Sequence, residues 1–590
     1  MRVRSWIAAA SAVTLIVSAT AAAPVVDAWS SHPGANRWMV VAKSSADFAS
    51  LRSDIYAAGG RVVSEMPDIN TFVVTGGTNV QNLAADTHTQ TVAADHVESL
   101  IAPDSSGLVT PALRRIKGSN TFGKKVTPDP GMSLPGLMWN VNRVDAQAAW
   151  KVSTGSKSVT VGVADTGLDY TNSELAKQVV HVEDFTGLEG DDTICKQIYE
   201  GTPYALNDAD WAAMYDGPAN TDWNGHGSWI GGNIAAAMDG AGINGIAPNV
   251  KLVALKISQW CGSAYDSEIL AAFMYAANHG IDVVSISFGG YLDMSDPDQA
   301  AIYQQYVQTV QYAMRKGTLI VAAAGNEHVR IGAGGKVISH GQLWVPGDDP
   351  ATAGPLDLYG LYETPGGIPG VIMVSATGNV VNKATANCDP ATLTDANAAE
   401  CKPTTDKHQA AGVGRYNQLA YYSNYGPRID VAAPGGARKF NLPVWDGGGT
   451  PGFPVTTSST AAWEDFSITS DWSTEIPCYY GSDLGPQFYP DDCYSTIQGT
   501  SMATPHASAV AALIASRNPM VRHNAFALAA ALKATAQPIS GNRTQPVSAS
   551  DKSAADRTGA ACPTGYCHLG GSAISDKDAF GAGLVDAAGF

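Results

Sequence analysis

The chain has 590 residues, 45% of them hydrophobic, enough for a large buried core and for more than one domain. Its 36 basic and 54 acidic residues leave a net charge of −18, which argues against nucleic acid or an anionic membrane as partner. The acidity lies almost wholly after residue 135.

Met1-Arg2-Val3-Arg4, an apolar run from Trp6 to about Val17 and small residues through Ala23 read as a secretory signal peptide, residues 1–23, too short to span a bilayer. No second span or membrane anchor is expected after it. Residues 29–102 carry a strand at 37–43, helical spacing at 45–58, two strands across 61–75 around Met66-Pro67-Asp68, a second helix from Val80, and a closing strand over 91–98. That βαββαβ order predicts a small α+β, ferredoxin-like unit, which on pattern alone could be a free-standing binding module. Residues 103–135 are rich in Pro, Gly and basic pairs such as Arg114-Arg115 and Lys124-Lys125, and read as a flexible linker.

The remaining segment, 136–590, starts with Trp139-Asn140-Val141-Asn142 and ends with Phe580-Gly581-Ala582-Gly583. Ser158-Val159-Thr160-Val161-Gly162-Val163-Ala164 is a β-branched strand that delivers Asp165 to its carboxyl end, where open α/β sheets carry their sites. His226, within Asn224-Gly225-His226-Gly227-Ser228, opens a small-residue helix. Leu319-Ile320-Val321-Ala322-Ala323-Ala324 is an apolar strand ending at Gly325-Asn326. Ser501, in Gly499-Thr500-Ser501-Met502-Ala503-Thr504-Pro505, precedes the apolar run 507–516, so a buried helix presents it. Pro505 is read as a first-turn proline of that helix. Each residue alone is most often a cap, a turn or a core group. Together they supply a nucleophilic hydroxyl, a base, a carboxylate to orient the base, and an amide donor.

The order Asp165, His226, Ser501, with Asn326 between, resembles the subtilisin-like serine proteases, the subtilases. The resemblance implies an α/β domain with a mostly parallel sheet between helices, and an Asp165-His226-Ser501 triad acting through an acyl-enzyme. It makes Asn326 the oxyanion donor beside the Ser501 backbone N–H. It also implies two strands that pair with substrate main chain, one carrying Gly262, Ser263 and Ala264, the other Ser287, Phe288 and Gly289. Read from the residues alone, both are equally ordinary sheet edges with glycine bends. Backbone pairing predicts broad specificity for polypeptides. Glu327 either favours basic or polar side chains nearby or is an exposed carboxylate without a role. The unit at 29–102 then resembles the family's inhibitory prodomain, and the expected product is a secreted, monomeric endopeptidase. An esterase or transpeptidase with the same triad, or a silent binding protein of the same fold, are the alternatives.

The chain departs from the family pattern in having Trp229 where a second histidine usually stands, and in long insertions near 188–222, 328–369, 383–413 and 438–494, the last a rim over the cleft or a decorated surface loop. Eight cysteines in an exported chain suggest disulfides: Cys388 with Cys401, Cys478 with Cys493 and Cys562 with Cys567 are close in sequence, leaving Cys195 for Cys261 among about 105 possible pairings. The chemistry needs no cofactor. Structural calcium, common in subtilases, is conceivable at Asn207-Asp208-Ala209-Asp210, but that spacing matches no known ligand loop.

Overall fold

The computed structural model describes residues 37–77, 79–100, 104–105, 138–186, 194–195, 220–343, 356–378, 380–382, 402–404, 419–420, 422–436, 468–474, 494–539 and 574–590. The proposed signal segment, calcium loop and three of the cysteine pairs lie outside these residues, as does most of the linker.

The N-terminal unit runs β1 (Arg37–Ala42), α1 (Phe48–Ala57), β2 (Arg61–Met66), β3 (Thr71–Thr75) and β4 (Thr89–Ala94), with 3-10 turns at Pro67–Ile69 and Val80–Ala85. Its antiparallel sheet has the order β2-β3-β1-β4. Alternation splits the buried side chains of the inner strands between two cores. Val40, Phe72 and Val74 pack on Phe48, Leu51 and Ile55 of α1, while Met39 and Val73 join the main core on the other face. The segment expected to start a second helix forms six residues of 3-10 turn instead. The strand expected over 91–98 is in fact two: β4 stays in the sheet, and β5 (Val97–Leu100) leaves it.

The larger domain starts with two short helices, α2 (Trp139–Arg143) and α3 (Ala146–Trp150), and continues with β7 (Thr160–Asp165), after a two-residue strand β6 (Asp104–Ser105). Then follow β8 (Val179–Asp184), α4 (His226–Ala235), β9 (Lys251–Lys256), β10 (Ser263–Tyr265), α5 (Asp266–Asn278), β11 (Val283–Ile286), β12 (Phe288–Leu292), α6 (Pro297–Lys316) and β13 (Leu319–Ala323). Two short antiparallel pairs come next among further strands: β14 (Gln342–Leu343) with β15 (Leu356–Asp357), and β18 (Val380–Asn382) with β19 (Lys402–Thr404). The remaining elements are β16 (Tyr362–Thr364), β17 (Ile372–Thr377), β20 (Val431–Pro434), β21 (Ile468–Asp471), β22 (Tyr494–Gln498), α7 (Thr500–Arg517), α8 (Ala525–Thr535) and α9 (Asp576–Phe580).

Seven strands form one sheet in the order β20-β17-β13-β11-β7-β9-β8, every neighbouring pair parallel. Covered on both faces, its inner strands are continuous apolar runs, and every residue of β11 and β13 is buried. Right-handed crossovers put α5 and α6 on one face, because both connections step the same way across the sheet. The connection from β8 to β9 steps the same way, yet its helix α4 packs against α7 rather than with α5 and α6, so this crossover departs from the right-handed rule. Because all seven strands run parallel, Asp165 at the end of β7 stands at the same carboxyl edge as the residues after β11 and β13. Among the described residues no helix is long and apolar enough to cross a membrane.

Candidate active site

Asp165 is the last residue of β7 and is wholly buried. Its Oδ1 lies 2.7 Å from His226 Nδ1 and also accepts the Thr166 N–H at 2.8 Å. His226 is the first residue of α4 and follows Gly225 at φ +96°, a left-handed turn that favours glycine. Gly227 allows the close approach: a Cβ there would stand 2.0 Å from the Gly167 carbonyl oxygen. The far ring nitrogen, His226 Nε2, is buried without a hydrogen-bond partner.

Ser501 is the second residue of α7, so the positive end of a long helix stands at its backbone. The structure corrects the expected place of Pro505, which is the sixth residue of this helix. Its missing N–H removes the usual donor to the Ser501 carbonyl, and the Ser287 hydroxyl donates to that oxygen instead, at 3.2 Å. Ser287 therefore serves the Ser501 helix through its side chain. Asn326 follows β13 and is fixed by its Oδ1, which accepts the Thr500 N–H at 3.0 Å and the Thr500 hydroxyl at 2.8 Å. That leaves the amide's Nδ2 as its donor end.

Sequence reasoning missed Asp222. Its carboxylate accepts from the backbone N–H groups of Asn224, Gly225 and Ser228, from the Ser228 hydroxyl and from the Thr166 hydroxyl, all at 2.7 to 3.0 Å. One buried carboxylate thus ties the turn after Asp165 to the start of the His226 helix. The insertion at 438–494 was also misjudged in its described part. Trp472 is buried beneath Gly225, Ser470 donates to the Trp229 carbonyl, and Trp229 donates its indole N–H to the Ser495 carbonyl. β21 and β22 hence back the histidine helix, and Trp229 fits there as a packing residue.

The two candidate substrate strands flank β5 on both sides. Ser263 and Ala264 of β10 pair with Ser99 and Glu98, Phe288 and Gly289 of β12 pair with Leu100 and Ser99, and the Gly262 carbonyl accepts the Leu100 N–H at 2.7 Å. β6, within the expected linker, pairs with β22, so that Asp104 lies opposite Gln498, three residues before Ser501. The N-terminal segment therefore pairs with strands of the larger domain through both β5 and β6. Glu327 is engaged: its Oε2 accepts from the Tyr291 hydroxyl and from Asn424 Nδ2. Cys195 and Cys261 form a disulfide, as sequence position suggested, with Cα atoms 5.7 Å apart. It fastens the insertion after β8 to the edge that carries Gly262.

Two groups among the described residues bring three metal-ligand side chains together, Asp54 with Asp86 and His88, and His96 with Glu98 and Asp266. In the second group Glu98 and Asp266 are buried and His96 is half-buried, and the group joins the N-terminal unit to the start of α5.

An acidic residue ending a sheet strand, a histidine and a serine opening facing helices, and an amide beside the serine define a serine-hydrolase type of site on a parallel α/β sheet. Residues 156–566 match the sequence model of the Subtilase family, and the chain belongs to that family. The thermophilic serine proteinase of Bacillus sp. (strain AK1) is 27% identical over 397 residues, which span 67% of this chain but only 61% of that protein. Thermitase of Thermoactinomyces vulgaris is 25% identical over 403 residues, 68% of this chain and 89% of that one. Fervidolysin from Fervidobacterium pennivorans, a keratinolytic enzyme related to subtilisin, shares the fold with a TM-score of 0.53 at 18% identity, over 94% of this chain and 60% of its own. The epidermin leader peptide processing serine protease of Staphylococcus aureus does so with 0.54 at 17% identity, over 94% and 96%.

Proposed function

We propose that this subtilase is a secreted serine endopeptidase whose N-terminal unit is an intramolecular inhibitor. In the proposed reaction His226 Nε2 takes the Ser501 hydroxyl proton as Oγ attacks a peptide carbonyl, and returns it to the departing amine as the C–N bond breaks. Water then cleaves the acyl-enzyme by the same proton route. Asp165 holds the Nδ1–H tautomer and stabilises the imidazolium, while the Ser501 N–H and Asn326 Nδ2 receive the oxyanion.

The observation that carries this reading is the placement of β5. An extended segment of the chain itself is paired through its backbone between β10 and β12, and resumes beside β22, the strand that leads into the Ser501 helix. A cleft that takes main chain on two edges suits a polypeptide better than a small ester. The same placement makes the bonds between Leu100 and Asp104 the natural site of maturation. The leader pattern at 1–23 supports secretion, and the acidic surface supports solubility outside the cell.

The test is the mass and N-terminal sequence of the exported product, wild type beside Ser501→Ala. Wild type trimmed after residue 100, with the variant left intact, is the expected result. Both forms left untrimmed, with no cleavage of added peptide by the wild type, would overturn the reading. If both are trimmed, another protease matures the chain, and peptide hydrolysis lost in Ser501→Ala then carries the assignment.

A further inference from the structure

Glu98 is the β5 residue whose side chain is most deeply held, at 1% exposure. Its Oε1 accepts the Thr364 hydroxyl at 2.7 Å, and it lies over Gly290, where a Cβ would stand 1.9 Å from Oε2. The wall of this pocket on the protease side is acidic. Asp266, the first residue of α5, is fully buried; its Oδ1 accepts the Tyr306 hydroxyl, and its Oδ2 makes no hydrogen bond. That oxygen is faced by His96 Nδ1 at 3.3 Å. Glu268, two positions further along α5, is faced by Arg37 at 3.4 Å. Both of these cations belong to the N-terminal unit. When that unit leaves, they leave with it, and the pocket keeps its carboxylates and hydroxyls.

A carboxylate is the wrong occupant for such a pocket. Burial, and then the charge of Asp266, push the Glu98 carboxyl up to about 8, so the segment holds this acid in its neutral form near pH 7. We infer that the pocket filled by Glu98 selects a lysine or arginine side chain in polypeptide substrates at the corresponding position. A cationic side chain there meets the Asp266 Oδ2 and the Thr364 hydroxyl, whereas an acidic one meets like charge in a desolvated site. The inhibitory segment thus carries a residue the site disfavours, which keeps it from binding as tightly as its backbone pairing allows.

The inference rests on the reading that β5 lies where substrate lies. If the cut bond falls between Leu100 and Asp104, Glu98 stands third to sixth before it. The matured wild-type enzyme, given a peptide library, is expected to enrich Lys and Arg and deplete Glu and Asp at one position in that range. A matched peptide pair with Lys or Glu there should differ by about tenfold or more in kcat/KM, and acetylating the lysine should remove most of the advantage. In Asp266→Asn the Lys-to-Glu ratio should collapse towards one. Cleavage with no cationic preference, or an advantage that survives acetylation, overturns this inference alone. Absence of any cleavage overturns the endopeptidase reading and this inference with it.

Discussion

Asp222 shows how much of the site's precision rests on a residue that never meets substrate. Three backbone N–H groups and two hydroxyls converge on its carboxylate, and through them the position of His226 relative to Asp165 is set. Replacing it by alanine leaves these donors buried and unmatched, so Asp222→Ala should cost about 3 kcal/mol or more of stability. Thermal unfolding beside steady-state kinetics checks this, with kcat expected to fall about tenfold or more while KM changes little. Asn326→Ala is different in kind: stability should hold, and kcat should drop by roughly 100- to 1000-fold through loss of one oxyanion donor. Asp165, His226, Asn326 and Ser501 were legible because each announces itself locally, at the end of an apolar strand or the start of a small-residue helix. Asp222 was not, because its meaning depends on Thr166, 56 positions earlier. Nor was the service Ser287 performs, which exists only because Pro505, 218 residues on in the sequence, strips a donor from the Ser501 carbonyl.

β5 is the element on which the proposed inhibition turns. Sequence periodicity merged it with β4 into one strand, and the reason it departs is polar. Asp95 accepts the Ser267 N–H and hydroxyl, and the His96 carbonyl accepts the Asp266 N–H, so the chain is pulled off its own sheet to cap α5. The titrating groups at this junction share one sign. Burial raises the Glu98 carboxyl from 4.5 to about 8; burial opposes the His96 cation, but Asp266 first, then Glu98 and Asp95, raise it from 6.5 to about 9. Asp95 is raised by burial as well, against the pull of Arg37. The docked form therefore binds protons more tightly than the separated parts. Docking is strongest in acid, weakens as pH climbs from 4.5 to 8 through Glu98, and weakens further from 6.5 to 9 through His96. After processing, activity should accordingly appear faster at pH 9 than at pH 6, followed with one peptide assayed at a common pH. An equal lag at both values would show that the junction's protons do not govern release.

At the scale of the whole molecule, the sheet and its layers were readable because parallel strands buried on both faces are written as plain apolar runs. The insertions were not, because their residues find partners far away: Trp472 seats under Gly225, and Tyr494 donates to Glu174, 320 positions apart. The Cys195–Cys261 bridge closes a loop with a sequence separation of 66 between the β8 insertion and the cleft edge. Cys195→Ser with Cys261→Ser should lower stability by about 2 to 4 kcal/mol, measured by denaturant unfolding, and should raise KM for long peptides more than for short ones. A loss of stability without any change in KM would place the bridge's role outside the cleft.

On the proposed inhibitory reading, β5 and β6 hold the larger domain through β10, β12 and β22 while belonging to the same chain. Until a bond between them is broken, the blocking strand competes at a local concentration fixed by geometry, and no amount of dilution loosens it. Breaking that bond turns the strand's owner into an ordinary ligand, and occupancy then obeys mass action. On that reading the same processed preparation should stay dormant when concentrated and awaken when diluted.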